Sequence, residues 1–428
     1  MLQVNGRYLY ENGKPFFWLG DTAWLLTEKL TMEEAQQYLQ NRKSLGFNVI
    51  QVDLLHTLPD TQEFRNGMCS SRKDTFHKDY FQFVGEVISF AAKLDIYIAL
   101  LPCWGSFVKK GVLNENNVEE YAEFLVKTFA HHENVIWVLG GDVKGDANLE
   151  AYKRFGTAIR ERDKKHLITF HPFGRTLSAR WFHDCDWIDF HMFQSGHRRY
   201  DQMNLKAWDD VTEKYYGEDS WRYVVENFAF PNPKPCLDGE PSYEGIVHGL
   251  HDFKEPYWEA KDVRRYAYWS VFQGACGFTY GNNAIMQFYD PQKGDTTGAY
   301  GVRETWQEAL HAEGGAQLQY LKALMESVDY VKGSACEDYL LSPQKERYHH
   351  ISIFAGMDYL FVYDYSGDAF ELSLSAYQDK VMDAYWMNPQ NGSMSYMETL
   401  TGLESKKFRP TKRHEESNDW VLVLKERK

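Results

Sequence analysis

Two carboxylic residues stand in glycine-framed turns, Asp142 in Gly140-Gly141-Asp142 and Glu240 in Asp238-Gly239-Glu240-Pro241, 98 residues apart. Each follows a short apolar run, and glycine permits the tight backbone that turns a carboxylate out of a strand end. One carboxyl group can protonate a leaving oxygen while a second attacks the carbon it leaves or activates a water, which is the equipment for cleaving a glycosidic bond. The plain alternative for an isolated Asp after a strand is a helix N-cap. Two carboxylates delivered to one rim favour catalysis instead.

Such residues need a scaffold that brings distant strand ends together. Short apolar runs at 16–19, 48–52, 96–101, 135–139, 167–170, 187–190, 234–237 and 277–280 alternate with segments of helical period, the pattern of a parallel sheet with crossover helices. Thr31 and Glu34 form a capping box ahead of Ala35, Tyr38, Leu39 and Leu45, with Gly46 as the stop. Eight runs predict an α/β fold of the (β/α)8 TIM-barrel type over residues 1–332. Beyond it, closely spaced alternating segments at 349–354, 359–365, 370–374, 381–386 and 420–424 predict a small antiparallel β-sandwich over 333–428. A barrel carries its active site at the C-terminal strand ends. The residues expected there are Asp21, Asp53 with His56, Trp104, Asp142, His171, His191 with Gln194, Glu240, and Asn282 with Asn283. In strand order, Asp142 and Glu240 follow the fourth and seventh strands, whose ends face each other across the mouth.

The supporting residues have assignable roles. Asp21, Asp53, His56 and Asn282 can hydrogen-bond sugar hydroxyls, Trp24 and Trp104 can stack on a ring, and His171, His191 and Gln194 can orient the nucleophile or hold a hydroxyl. N-capping for Asp21 and core packing for Trp24 are the structural alternatives. Asp53 and Glu244 are spare carboxylates, with Glu244 better placed as a helix-start residue.

The sequence resembles the apiosidase-like glycoside hydrolases, relatives of a large clan of barrel glycosidases. The resemblance covers nearly the whole chain and rests on Trp18-Leu19-Gly20-Asp21-Thr22-Ala23-Trp24, Trp137-Val138-Leu139-Gly140-Gly141-Asp142 and Phe170-His171-Pro172 with Trp181-Phe182-His183. Trp187-Ile188-Asp189-Phe190 running on to Gln194-Ser195-Gly196-His197, and Asp238-Gly239-Glu240-Pro241-Ser242-Tyr243-Glu244, extend it. It implies Asp142 as acid/base, Glu240 as nucleophile, hydrolysis with retention, and a plant-type oligosaccharide or pentofuranoside-like substrate such as apiose-containing pectin side chains. The wider clan presents Asn-Glu where this chain has Gly141-Asp142, so its acid is one methylene shorter. The C-terminal segment, with Trp386-Met387-Asn388-Pro389 and Gly392, resembles the domain that follows the barrel in this family and carries a collagen-binding label.

Composition narrows the partners. A formal net charge of -14 opposes binding to the phosphate backbone of nucleic acid, so a neutral carbohydrate is the expected partner. No run approaches the roughly 20 apolar residues of a membrane helix, and Met1 to Lys14 lacks a signal-peptide pattern, so a cytoplasmic location is expected. The six Cys are scattered without a CxxC pair, which reads as reduced thiols. His414-Glu415-Glu416-Ser417 lacks the second His of a zinc-protease helix, and no phosphate loop or GxSxG elbow occurs. No metal and no cofactor is expected. A rival reading is a non-catalytic carbohydrate-binding protein on a barrel scaffold; another is an exported collagen-binding adhesin.

Overall fold

The apolar runs condense into a parallel sheet because each is buried on both faces, by helices outside and by opposing strands inside. The computed structural model describes residues 1–56, 78–202, 215–295, 298–410 and 417–427. Its strands are β1 (Trp18–Thr22), β2 (Val49–Asp53), β3 (Tyr97–Leu101), β4 (Val135–Val143), β5 (Ile168–Pro172), β6 (His191–Gln194), β7 (Cys236–Asp238) and β8 (Gly277–Tyr280). Parallel pairing runs in the order β5-β4-β3-β2-β1-β8-β7-β6. Helices α1 (Met32–Ser44), α2 (Lys78–Lys93), α3 (Val118–Phe129), α4 (Leu149–Arg162), α5 (Ser220–Ala229) and α6 (Ala260–Phe272) make the crossovers. Thr31 and Glu34 form the capping box at the start of α1, and Gly46 follows with φ +84. Most of the loop 54–79, part of the loop 195–233, Cys69 and His414-Glu415-Glu416 lie outside the described residues.

The ring closes between β5 and β6 without a ladder. At the base of this seam Asp189 N donates to Ile168 O at 2.8 Å, the Asp189 carboxylate accepts from Ile168 N at 2.7 Å, and Thr169 Oγ1 donates to Phe190 O at 2.7 Å. At the top, the short strand Thr176–Leu177 pairs antiparallel with β6. This corrects the sixth strand, which was expected at 187–190. Trp187 is apolar because it packs on Gly156 of α4 and on Phe182, and Phe190 because it packs on Trp18 of β1, while the strand itself begins four residues later. The N-terminal strands Leu2–Asn5, Tyr8–Glu11 and Lys14–Phe16 form a separate antiparallel sheet at the base of the barrel, where Tyr97 at the start of β3 donates to Glu11 at 2.7 Å.

After helix α7 (Glu313–Glu326) the chain forms a six-stranded antiparallel sheet covered by a two-stranded ribbon, Phe370–Ser373 with Ser405–Phe408. The central strand Tyr359–Asp364 is buried on both faces. Leu360 and Val362 join Ile353, Leu372 and Leu422 in the core of this second unit, whereas Tyr359, Phe361 and Tyr363 face α6 of the barrel, a consequence of the two-residue period of a strand. Tyr363 stacks on Tyr268 with centroids 4.5 Å apart. Beside them Arg264 of α6 makes two bonds to the buried Asp419 carboxylate, at 2.8 and 2.9 Å. Removing one partner of such a pair leaves a buried charge uncompensated, so Asp419→Ala is expected to cost about 3 to 5 kcal/mol of unfolding free energy, read from the denaturant midpoint. Among the described residues no helix is long and apolar enough to cross a membrane.

Candidate active site

Asp142 owes its position to a bulge. Gly140 pairs with His171 of β5 and Val143 with Pro172, so Gly141 and Asp142 are extruded from the ladder. Three consecutive left-handed residues make the excursion, with φ +95 at Gly140, +96 at Gly141 and +50 at Asp142. A Cβ on Gly140 would lie 2.2 Å from the His171 carbonyl oxygen. Gly140→Ala is therefore expected to cost about 2 kcal/mol or more, by strain and clash together, and to displace Asp142. Chemical denaturation reads the first effect and steady-state turnover the second. The extrusion leaves the Asp142 side chain open to the barrel mouth, where Gln194 at the end of β6 is near enough to favour its ionised form.

Glu240 occupies the opposite environment. It follows β7 in a turn tied to its neighbours by Gly239 N to Phe193 O at 2.8 Å and by Gln51 Nε2 to Gly239 O at 2.9 Å. His197 Nε2 stands 3.0 Å from its Oε1. His171 Nε2 stands 3.2 Å from its Oε2, close but outside hydrogen-bond geometry. The backbone N–H of Tyr243 points at His197 Nδ1 at 3.3 Å, and that of Asp142 at His171 Nδ1 at the long distance of 3.5 Å. With Nδ1 accepting in both rings, each Nε2 carries the hydrogen, and that of His197 is directed at Glu240 Oε1.

The two carboxyl groups are thereby driven apart. Burial alone would raise Glu240, but the two imidazoles outweigh it and hold the carboxyl down at about 2. Asp142 is raised to about 6, first by the loss of hydration deep in the mouth and then by the negative charge of Glu240. Solvent still reaches Asp142, so its desolvation comes from the enclosing walls of the mouth. A neutral acid and an ionised carboxylate side by side are what acid-assisted nucleophilic cleavage requires.

The first 332 residues, from residue 3 onward, match the model of the family described as "Apiosidase-like, catalytic domain". The chain belongs to the apiosidase-like family. Residues 337–425 match "Putative collagen-binding domain of a collagenase". A solved glycoside hydrolase is 39% identical to this apiosidase-like chain, covers 99% of it and 96% of its own length, and superposes with a TM-score of 0.91. The crystal structure of a glycoside hydrolase family 5 protein from Bacteroides vulgatus ATCC 8482 is 38% identical over 99% of this chain and 93% of its own, also with a TM-score of 0.91. Among curated proteins no sequence matches. The chain is a glycosidase on a barrel scaffold.

Of the other residues expected at the rim of this apiosidase-like barrel, some reach the mouth and some do not. Trp24 and Trp104 meet edge to face at 5.3 Å, and Trp24 packs on the His171 ring at 5.2 Å, so both indoles wall the site. His56 lies against Trp104 at 4.8 Å with its Nδ1 held by the buried Asp53 carboxylate at 3.1 Å, and it feels the charge of Asp142. Asp53 itself acts through His56. Asp21 is fully buried, accepts from Tyr38 at 2.6 Å and pairs with Arg42 at 3.0 Å, so it ties β1 to α1 instead of facing the mouth. Asn282 caps a short helix, accepting from Ala284 N at 2.8 Å. His191 starts β6 and so lies at the strand's base, bound to Ser178 at 3.0 Å, not at the rim where the misplaced sixth strand put it. Glu244 is taken up by the Tyr280 hydroxyl at 2.6 Å and the Gly314 amide at 3.1 Å.

Three residues join the site unannounced. His197 and Tyr243 lie inside the motifs that carry the resemblance, and their local signal was present as aromatic residues just past β6 and β7. Tyr300 comes from the loop after β8 and feels both Asp142 and Glu240, which raise its hydroxyl further after burial has done so. Its backbone is left-handed, φ +54, which no sequence pattern marks. Among the described residues no group of three or more His, Cys, Asp or Glu side chains is arranged to hold a metal ion.

Proposed function

We propose that this glycosidase acts with retention, Asp142 serving as acid/base and Glu240 as nucleophile. The observation that carries the reading is the opposed environment of the two carboxyl groups, one clamped ionised between His171 and His197, the other kept protonated in the mouth. In the first step Glu240 attacks the anomeric carbon, the glycosidic C–O bond breaks, and the Asp142 proton passes to the leaving oxygen. Esterification removes the Glu240 charge, so the Asp142 carboxylate becomes the base that takes a proton from water as the water oxygen attacks the same carbon and Glu240 departs.

The family points to a plant-type oligosaccharide or a pentofuranoside-like glycoside as substrate. Trp24 and Trp104 supply flat faces for the sugar, and His56 and Gln194 supply donors for its hydroxyls. A panel of aryl glycosides that includes pentofuranosides, assayed with wild type and Glu240→Gln, identifies the sugar. For whichever glycoside is cleaved, proton NMR of the earliest product is expected to show the anomeric configuration of the substrate. A first-formed product of opposite configuration would refute the nucleophilic role of Glu240.

A further inference from the structure

His197 lies within a short segment, residues 195–202, that is anchored at both ends. At its start the buried Asp238 carboxylate accepts from Ser195 N at 3.3 Å and from Ser195 Oγ at 2.5 Å, and Gly196 N donates to Glu240 O at 3.2 Å. In the middle, His197 O accepts from Gly249 N at 2.7 Å and from Trp258 Nε1 at 3.3 Å. These partners all belong to the barrel. The far end, at Tyr200, is held in part by the C-terminal unit.

Tyr200 N donates to Glu218 Oε1 at 3.2 Å, and the same oxygen accepts from the Tyr348 hydroxyl at 2.7 Å. Glu218 is fully buried, and its other oxygen accepts from Arg265 of α6 at 2.5 Å. One carboxylate thus ties together the loop after β6, helix α6 and the C-terminal unit. The Tyr200 ring is gripped from the same place, since Tyr348 meets it edge to face at 5.3 Å and the Arg347 guanidinium lies 5.1 Å from its centroid. Arg265 backs the Tyr348 ring at 4.9 Å. Both gripping side chains come from the single turn Arg347–His349, in which Arg347 has φ +54, a left-handed conformation that a residue with a side chain adopts only at a cost. Packing two units together needs no such turn. The rest of this interface, Tyr363 on Tyr268 and Arg264 with Asp419, is built from regular strand and helix.

We propose that the turn Arg347–His349 is a clamp by which the C-terminal unit holds the active site in register, with Tyr348 as a positioning residue for glycoside hydrolysis. Tyr348 touches no reacting group. It fixes Tyr200, three residues past His197, and so steadies the imidazole whose Nε2–H is directed at Glu240 Oε1. This role rests on Glu240 being the nucleophile. Attack on an anomeric carbon tolerates only a narrow range of directions, so a carboxylate left free to swing loses rate and not affinity.

In the full chain, Tyr348→Phe keeps the ring on Tyr200 and removes the bond to Glu218, whereas Tyr348→Ala removes both. Measured on an accepted aryl glycoside well below each variant's thermal midpoint, kcat is expected to fall about threefold in the first and about tenfold in the second, with KM unchanged. In proton NMR, the His197 Nε2–H resonance, assigned by its loss in His197→Gln, is expected to exchange with water about fivefold faster in Tyr348→Ala and in Tyr348→Phe to a lesser degree. Tyr363→Phe removes a hydroxyl bound to Asp419 at 3.1 Å elsewhere in the same interface. It is expected to lower the thermal midpoint while leaving both kcat and the His197 exchange rate at wild-type values. Unchanged kcat in both Tyr348 variants, a loss carried by KM, an unchanged His197 exchange rate, or an equal fall of kcat in Tyr363→Phe overturns the proposal. Turnover retained in Glu240→Gln would refute the nucleophile alone, because the His197 hydrogen reads the clamp without any substrate.

Discussion

Glu240→Gln is expected to lower kcat/KM on any accepted aryl glycoside by about 10⁴-fold or more, the loss that follows removal of a covalent nucleophile whose partners remain in place. Gln keeps the volume of the side chain and can still accept from His197, so the variant should fold, and its thermal midpoint should stay near that of the wild type. The environment explains why no neighbour substitutes. Glu244 is bound to Tyr280 and Gly314, Asp53 is held by His56, and Asp238 is buried against Ser195, whose hydroxyl donates to it at 2.5 Å. Retention of a tenth or more of the wild-type rate would mean that another group attacks.

The second large effect is on pH dependence. Under the proposed roles, productive chemistry needs Glu240 ionised and Asp142 protonated. The first condition fails as pH falls through about 2, and the second fails as pH rises through about 6. The kcat/KM profile is thus expected to be a bell centred near pH 4, declining about tenfold per unit above its upper limb. The limbs belong to the coupled pair, and Glu240 supplies part of the rise at Asp142, so Glu240→Gln should lower the Asp142 titration when it is followed directly by NMR. Asp142→Asn is expected to abolish the basic limb and to slow substrates with poor leaving groups far more than nitrophenyl glycosides, which depart without a proton. An unchanged basic limb in Asp142→Asn would move the acid role elsewhere.

The strand-end positions of the two carboxylates were readable from sequence because glycines frame each turn. Gly140 and Gly141 leave no room for a side chain, and that constraint is local enough to be written in three letters. The order of the eight strands was readable for the same reason, since each is a dense apolar run. What failed were assignments that depend on tertiary partners. Asp21 and Asn282 follow strands as rim residues should, yet each is consumed by structure, by Arg42 in one case and by a helix start in the other. The sixth strand slipped by four residues because an apolar run leading into a strand, packed on α4 and on β1, is indistinguishable from the strand itself. The edge of the C-terminal sheet at Met394–Leu400 went unread, since its exposed, polar positions show no apolar alternation. Tyr300 reaches the carboxylates from a loop through a strained backbone, and such a position has no periodicity to betray it.

The laddered strands form a ring cut at one place, between β5 and β6, and there the join is made by a few side-chain bonds and the short strand Thr176–Leu177. A split ring is mechanically softest across its gap. His171 of β5 and Gln194 of β6 face each other across that gap, with Asp142 one strand back on β4 and Glu240 one strand back after β7. An elastic opening of the gap would change the distance between the Asp142 and Glu240 carboxyl groups. Under the proposed roles, the unladdered side of the ring is the side on which the two carboxyl groups must first approach a sugar and then admit a water between them.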